Sequence, residues 1–373
     1  MGLNDRLSTG KRDPQQLDAE SEAAGGPVTP LTRRADSPEI VSQLDHLVEQ
    51  MGARPGSFEA RVVREMLQTA LKLIPDDRDR GELKLMSTAL KELRYAYRVF
   101  AKFREPHKVT IFGSARTPED HPDFKAAIEF SRLMRDAGWM SITGAGLGIM
   151  RAGHIGPGRE ASFGVAIRLP FETNANEVIA GDEKLIHFRY FFTRKLMFIS
   201  QAEAVALFPG GFGTLDEAFE AMTLVQTGKA SPMPIVMLEG AGGDYWRGWD
   251  RFIREQLISR GLVSPEDPSI YHICATPSEA ADHIIRYYRN YHSSRYVKDD
   301  FVIRIRRRLK DEDVARLGAE FALLCKEGTI RQTGALEGED ELPDLPRLVF
   351  HHTKSKFGVL RRLIDRINDC DPA

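Results

Sequence analysis

The chain has 373 residues, 42% of them hydrophobic, enough for two or three domains with a real core. Lys and Arg number 52 against 54 Asp and Glu, a net charge of −2, so no global basic field points to a nucleic-acid partner. No apolar run approaches the ~20 residues of a membrane helix. The three cysteines are scattered and the opening MGLNDRLSTGKRD has no apolar signal core, so a reducing, cytoplasmic setting is expected.

Residues 1–38 are polar and rich in Gly, Pro and Ser, which predicts a disordered tail. Residues 39–104 predict a helical region. Ile40, Leu44 and Leu47 recur at helical spacing, as do Val62, Met66 and Leu73, and a third helix covers Leu83 to Phe103. Between 105 and 296 short apolar strands alternate with helices. The strands are Val109–Phe112, Met140–Thr143, Phe163–Leu169, Lys184–His187, Val205–Phe208 and Ile235–Leu238. The helices are Asp123–Ala137, one near Ile149, Phe191–Gln201, Thr214–Gly228, Tyr245–Arg260 and Ser278–Asn290. The alternation predicts an α/β fold, a Rossmann-like, mostly parallel sheet with helices on both faces. The helical region precedes it and a small α+β module follows. That module, 297–373, reads as βαββα, with strand Phe301–Arg306, helix Asp311–Cys325, strands Thr329–Thr333 and Arg347–His351, and helix Lys356–Ile367. Phe301–Arg306 alternates like a half-buried strand, Arg306–Arg308 reads as a solvated edge, and Glu337–Asp344 as an acidic loop.

Three strand-end loops carry the chemistry: Gly113-Ser114-Ala115-Arg116, Gly144-Ala145-Gly146-Leu147-Gly148 and Pro209-Gly210-Gly211-Phe212-Gly213-Thr214. In open parallel sheets ligands bind at the carboxyl ends of strands, so the three loops are expected to share one crevice. A glycine-rich turn leading into a helix favours a phosphate through its free N–H groups and the helix dipole. Glycine reaches positive φ freely, which suits such a tight turn. Glu217 sits one turn into that helix. Thr214-x-x-Glu217 also has the spacing of a capping box, in which Glu217 bonds back to the Thr214 N–H. No His/Cys/Asp/Glu cluster has metal-ligand spacing and no nucleophile elbow is present, so neither metal nor cofactor is expected. The two glycine loops with Arg194, Lys195 and Glu217 suit a phosphorylated ligand.

Phe208-Pro-Gly-Gly-Phe-Gly-Thr-Leu-Asp-Glu217 resembles the PGGxGTxxE signature of the Lonely Guy family of nucleoside 5′-monophosphate phosphoribohydrolases, often mislabelled lysine decarboxylases. Thr193-Arg194-Lys195 is similar to that family's Arg-Lys motif, at the family's spacing from the glutamate. Thr143–Met150 is similar to its first glycine loop and Phe112–Arg116 to its opening strand-loop, so the resemblance covers 108–290. The extensions on both sides suggest a long form. Arg151 and His154 depart from the Glu and Asn of many longer members, and Gly156-Pro157-Gly158 interrupts the following helix. These departures lie near the phosphate end.

The resemblance implies hydrolysis of a purine-type nucleoside 5′-monophosphate to free base and ribose 5-phosphate. Glu217 and Arg194 would be catalytic, with Arg194 holding Glu217 ionised. Gly113, Ser114, Gly144, Gly146, Lys195, Gly210, Gly211, Gly213 and Thr214 would bind substrate or phosphate. The implied partners are the nucleotide and a second copy of the chain, as a homodimer or higher oligomer. Glu217 can both cap and catalyse, because one oxygen can cap while the other faces the sugar. The rival expectation is a carrier of nucleotide or molybdenum cofactor that shares the fold and turns nothing over.

Overall fold

The computed structural model describes residues 32–168, 175–337, 339 and 341–371. The tail expected over 1–38 lies outside the described residues as far as 31, and Thr32–Asp36 forms a 3-10 turn. The chain divides into two compact units, a smaller one of residues 12–91 and a larger one that takes in 92–373. Among the described residues no helix is long and apolar enough to cross a membrane.

The smaller unit is helical, as its periodicity predicts. It holds α1 (Pro38–Gln50), α2 (Phe58–Lys72) and the start of α3 (Arg80–Phe100). The Ser37 and Ser57 hydroxyls accept hydrogen bonds from the Ile40 and Ala60 N–H groups, satisfying donors that a helix start leaves open. Arg64 on α2 donates to Asp45 on α1 at 3.1 Å.

The larger unit begins with the alternating elements. In order they are β1 (Lys108–Phe112), α4 (Pro122–Asp136), β2 (Met140–Thr143), α5 (Ile149–Ile155), β3 (Ser162–Ile167), β4 (Leu185–Phe188), α6 (Phe191–Ser200) and β5 (Ala204–Leu207). Then come α7 (Phe212–Gln226), β6 (Ile235–Leu238), α8 (Tyr245–Phe252), β7 (Tyr271–Cys274) and α9 (Pro277–Tyr287). The seven strands form one parallel sheet in the order β4-β3-β2-β1-β5-β6-β7. In the middle of the sheet both faces are buried, which is why β5 and β6 read as unbroken apolar runs. On β5, Ala204 and Ala206 join the apolar cluster of one face, Val205 and Leu207 that of the other. Strand β7 escapes the sequence reading: at the sheet's edge, with His272 exposed, Tyr-His-Ile-Cys shows no apolar run. The helix expected over Tyr245–Arg260 is α8 followed by a π-helical turn, Ile253–Ile258.

The chain ends in a second sheet, four-stranded and antiparallel, in the order β10-β11-β9-β8. Its elements are β8 (Tyr291–Val297), β9 (Asp300–Ile305), α10 (Asp311–Glu320), β10 (Cys325–Thr333), β11 (Arg347–His352) and α11 (Phe357–Asp369). The pattern is ββαββα, one strand more than the βαββα expected from 297 onward. Ser293, Ser294 and Arg295 hide β8 because they break the apolar alternation. Nor is β9 half-buried: Val302 on one face and Ile303 on the other are fully covered, and Arg304 is buried too. For Arg304 the reason lies in the acidic loop expected over Glu337–Asp344. Glu339 is buried there and accepts from Arg304 Nη2 at 2.9 Å and from Arg347 Nε at 3.2 Å. A buried cation is tolerable only with such a partner.

Candidate functional site

The sheet's strand order reverses between β1 and β5, and the loops that follow these two strands part around a crevice there. The Ser114 N–H donates to the Pro209 carbonyl at 3.1 Å, and the Ile149 N–H donates to the Ser114 carbonyl at 3.0 Å. These bonds lock all three expected loops together. Gly148 is required for the fit: its φ is +58°, and a Cβ would stand 2.3 Å from the Ser114 carbonyl oxygen. The crevice has a volume of about 900 Å³. Gly113, Ser114, Gly144, Arg194, Gly210, Gly211, Gly213, Thr214 and Glu217 all line it. Of the residues expected at the site, Gly146 and Lys195 do not.

The loop into α7 differs from its sequence reading. Gly210, Gly211 and Gly213 are not among the glycines with positive φ. What they provide is space. A Cβ on Gly210 would stand 2.1 Å from Thr214 Oγ1, while a Cβ on Gly211 or Gly213 would meet nothing within 4 Å. Helix α7 starts at Phe212 with Gly211 as its N-cap, two residues before Thr214. The capping box is therefore not formed. Thr214 lies inside the first turn, where N–H groups have no intrahelical partner and face the crevice mouth. The Tyr245 hydroxyl pins the loop from behind, donating to the Gly210 carbonyl at 2.7 Å.

Glu217 is buried, and its Oε2 accepts no hydrogen bond. Burial pushes its pKa up to about 7, against the opposing charge of Lys195 and, more weakly, of Arg194; Glu220 and Asp216 push it further up. The expectation that Arg194 holds Glu217 ionised is thus corrected: desolvation wins. Arg194 Nε donates to the Val165 carbonyl at 2.8 Å, and its guanidinium lies 5.0 Å over the Phe198 ring. A Cβ on Gly144 would come within 2.5 Å of Arg194 Nη2, so the glycine makes room for the arginine. Lys195, the next residue, turns to the helix's other side and pairs with Asp216 at 2.6 Å and Glu220 at 2.8 Å. Burial works against its charge, but these partners outweigh it and raise its pKa.

The departures at 151–158 do not line the crevice. His154 is fully buried behind the Gly144–Gly148 loop, within 2.9 Å of Thr143 Oγ1 and 3.0 Å of the Phe163 carbonyl. Burial lowers its pKa against the hydrogen bonds of the Phe163 carbonyl and the Asn176 side chain, which favours the neutral ring. Asn176 Nδ2 donates to the Ala145 and Gly146 carbonyls at 3.1 and 3.0 Å, so Gly146 belongs to the loop's support. Arg151 clamps Glu119 at 2.8 Å and Glu177 at 2.6 Å. Helix α5 ends at Ile155 with Gly156 as its C-cap, where the glycines had marked an interruption.

Sequence reasoning missed the aromatic wall of Phe191, Phe198 and Phe212. The first two lie at i and i+7 around Arg194, a helical spacing that could have revealed them. Outside the crevice, His272, Cys274 and Glu279 bring potential ligating atoms within 4.8 Å of one another. Linear spacing did not signal this group. Glu279 is engaged there, accepting from the Ala275 N–H at 2.7 Å, and burial pushes the Cys274 thiol up to about 12.

Residues 144–284 match the model of the family described as "Possible lysine decarboxylase". This segment is a Lonely Guy-type domain. No curated protein matches the chain. Among solved structures, the X-ray structure of TM1055 is 23% identical over 48% of this chain and 99% of its own, with a TM-score of 0.35. The molybdenum cofactor carrier protein of Chlamydomonas reinhardtii is 17% identical over 49% of this chain and 98% of its own, TM-score 0.34. DNA processing protein A of Streptococcus pneumoniae is 12% identical over 76% of this chain and 95% of its own, TM-score 0.35. At these TM-scores the likenesses decide nothing about function. The Lonely Guy-type segment begins at the second glycine loop and ends within α9, so it includes Arg194 and Glu217.

Proposed function

We propose that the crevice hydrolyses the N-glycosidic bond of a purine-type nucleoside 5′-monophosphate, releasing free base and ribose 5-phosphate. The observation that carries this reading is Glu217, a buried carboxyl with an unbonded oxygen beside the open N-terminus of α7. The 5′-phosphate would sit on the first-turn N–H groups of α7, in the space left by Gly211 and Gly213. As the base departs, positive charge develops on the sugar. Glu217 in its ionised form would take a proton from the attacking water, whose oxygen bonds to the sugar carbon. The departing base gains a proton in turn. Arg194 would contact base or ribose, and the exposed Phe191 offers an aromatic ring to a planar base.

A buried carboxyl with an unbonded oxygen in the crevice, pushed up by burial, favours the enzyme over a carrier without turnover. A homodimer forms part of the proposal, supported by Phe191, Phe192 and Phe212, exposed by 54%, 52% and 95% on and beside the crevice rim. A cytoplasmic setting suits the three cysteines, all free thiols. The test is incubation with a panel of nucleoside monophosphates and detection of ribose 5-phosphate. Nucleotide binding with no release from any of them would establish the carrier instead.

A further inference from the structure

Helix α6 carries a second cavity on the side away from Arg194. Phe191, Arg194 and Phe198 line the crevice, whereas Phe192, Lys195, Leu196 and Ile199 line this cavity. Its volume is about 240 Å³, below the range of pockets for drug-sized ligands. The far wall is built by the junction of α9 with the C-terminal sheet, chiefly Tyr288 and Tyr291. Their hydroxyls are engaged, Tyr288 donating to the Glu203 carbonyl at 2.6 Å and Tyr291 lying 2.9 Å from Ser294 Oγ. The rings are what they offer, so the cavity suits an apolar body. Its lining also holds the charged residues Lys195, Glu220 and Lys229; Lys195 is paired with Glu220 and, beyond the lining, Asp216, so Lys229 is the cation there that these carboxylates do not offset.

Lys195 lines this cavity alone but approaches Glu217 of the crevice. Its ammonium is 2.8 Å from Glu220 at the cavity wall, 2.6 Å from Asp216 and 4.0 Å from Glu217 in the crevice. We propose that the cavity binds a small apolar monoanion, a carboxylate on an aromatic or branched body, and that Lys195 relays its binding to Glu217. A carboxylate in the cavity draws the ammonium toward itself. Glu217 then loses its largest opposing charge and takes up part of a proton near neutral pH. The other charged groups facing this pair are Arg194 on α6, Asp216 and Glu220 on α7, and Lys229 just after it. Across the cavity stand His292 and the two tyrosines. Lys195 exerts the largest opposing charge on Glu217 and also lines the cavity, so the lysine is the coupling element.

The inference does not depend on which reaction the crevice performs, and its test reads binding and protons rather than turnover. Phenylacetate and its neutral isostere phenylacetamide are titrated calorimetrically into the full chain at pH 7, in buffers of different ionisation enthalpy. Phenylacetate is expected to bind at least tenfold more tightly than the amide, with uptake of a fraction of a proton. Glu217→Gln should bind phenylacetate and lose the uptake. Ser293→Phe and Leu224→Phe, which fill the cavity, should each lose binding while melting as the wild type does. Equal affinity for acid and amide, or binding that survives both fillings, overturns the site. Binding without proton uptake, or uptake that persists in Glu217→Gln, overturns the relay.

Discussion

Lys195 Nζ and Glu217 Oε2 stand 4.0 Å apart, near enough for charge to act and too far for a hydrogen bond. The lysine spends its hydrogen bonds on Asp216 and Glu220. The glutamate is left buried with an unbonded oxygen, which is why it titrates near neutrality.

Removing the charge at Glu217 should stabilise the fold and stop turnover. The carboxyl is raised from 4.5 to about 7, so the folded state holds a proton that the unfolded state releases between those values. Stability is therefore lost as pH rises through that window, by at most about 3–4 kcal/mol. Glu217→Gln should melt at or above the wild-type temperature at pH 8 and lose that advantage at pH 4. Its release of ribose 5-phosphate should fall by roughly two orders of magnitude, with nucleotide affinity kept. Wild-type turnover in this variant would remove Glu217 from the mechanism.

The rate should follow the ionised fraction of Glu217. Turnover is expected to rise with pH on an acid limb centred near 7 and to level off above it. Lys195→Met takes away the largest opposing charge and leaves Asp216 and Glu220 unneutralised, so the limb should move to higher pH. A pH–rate profile of both proteins decides this; an unmoved limb would show that another group controls it.

Two kinds of glycine should separate in the loop before α7. Gly211→Ala and Gly213→Ala place a methyl in open space, so melting should hold within a degree or two while nucleotide affinity drops tenfold or more. Gly210→Ala drives a methyl into Thr214 Oγ1 at 2.1 Å and should lower both melting temperature and affinity. Adenosine should be cleaved far more slowly than its monophosphate. Equal rates on the two substrates would contradict the phosphate cradle.

The C-terminal sheet should depend on Glu339. Its carboxylate is held low: burial opposes ionisation, but the Leu336 N–H, Arg304 and Arg347 prevail. A depressed carboxyl contributes stability above its unfolded value and loses it as pH falls toward the folded one. Glu339→Gln leaves the buried Arg347 without the carboxylate it pairs with and Arg304 with only Glu341 at 3.6 Å, expected to weaken the fold by about 3–5 kcal/mol. Denaturant melts at pH 7 measure the loss, and the gap between variant and wild type should narrow at pH 3.

The sequence by itself determined the parallel sheet and the place of its loops. Strands buried on both faces are largely apolar, and the glycines mark where strands turn into helices, so Val109–Phe112, Met140–Thr143 and Val205–Phe208 were all legible. It also paired Arg194 with Glu217 through a motif, though not their roles. Tertiary structure decided what depends on distant neighbours. Whether Thr214 caps α7 turned on where the helix begins, two residues earlier. Whether Glu217 is ionised turned on burial outweighing Lys195, a balance no local pattern records. The polar strand β8 and the buried Glu339 were invisible for the same reason. Their places are set by β9 and by Arg304 and Arg347, and a residue's solvation belongs to the packed fold rather than to its own segment.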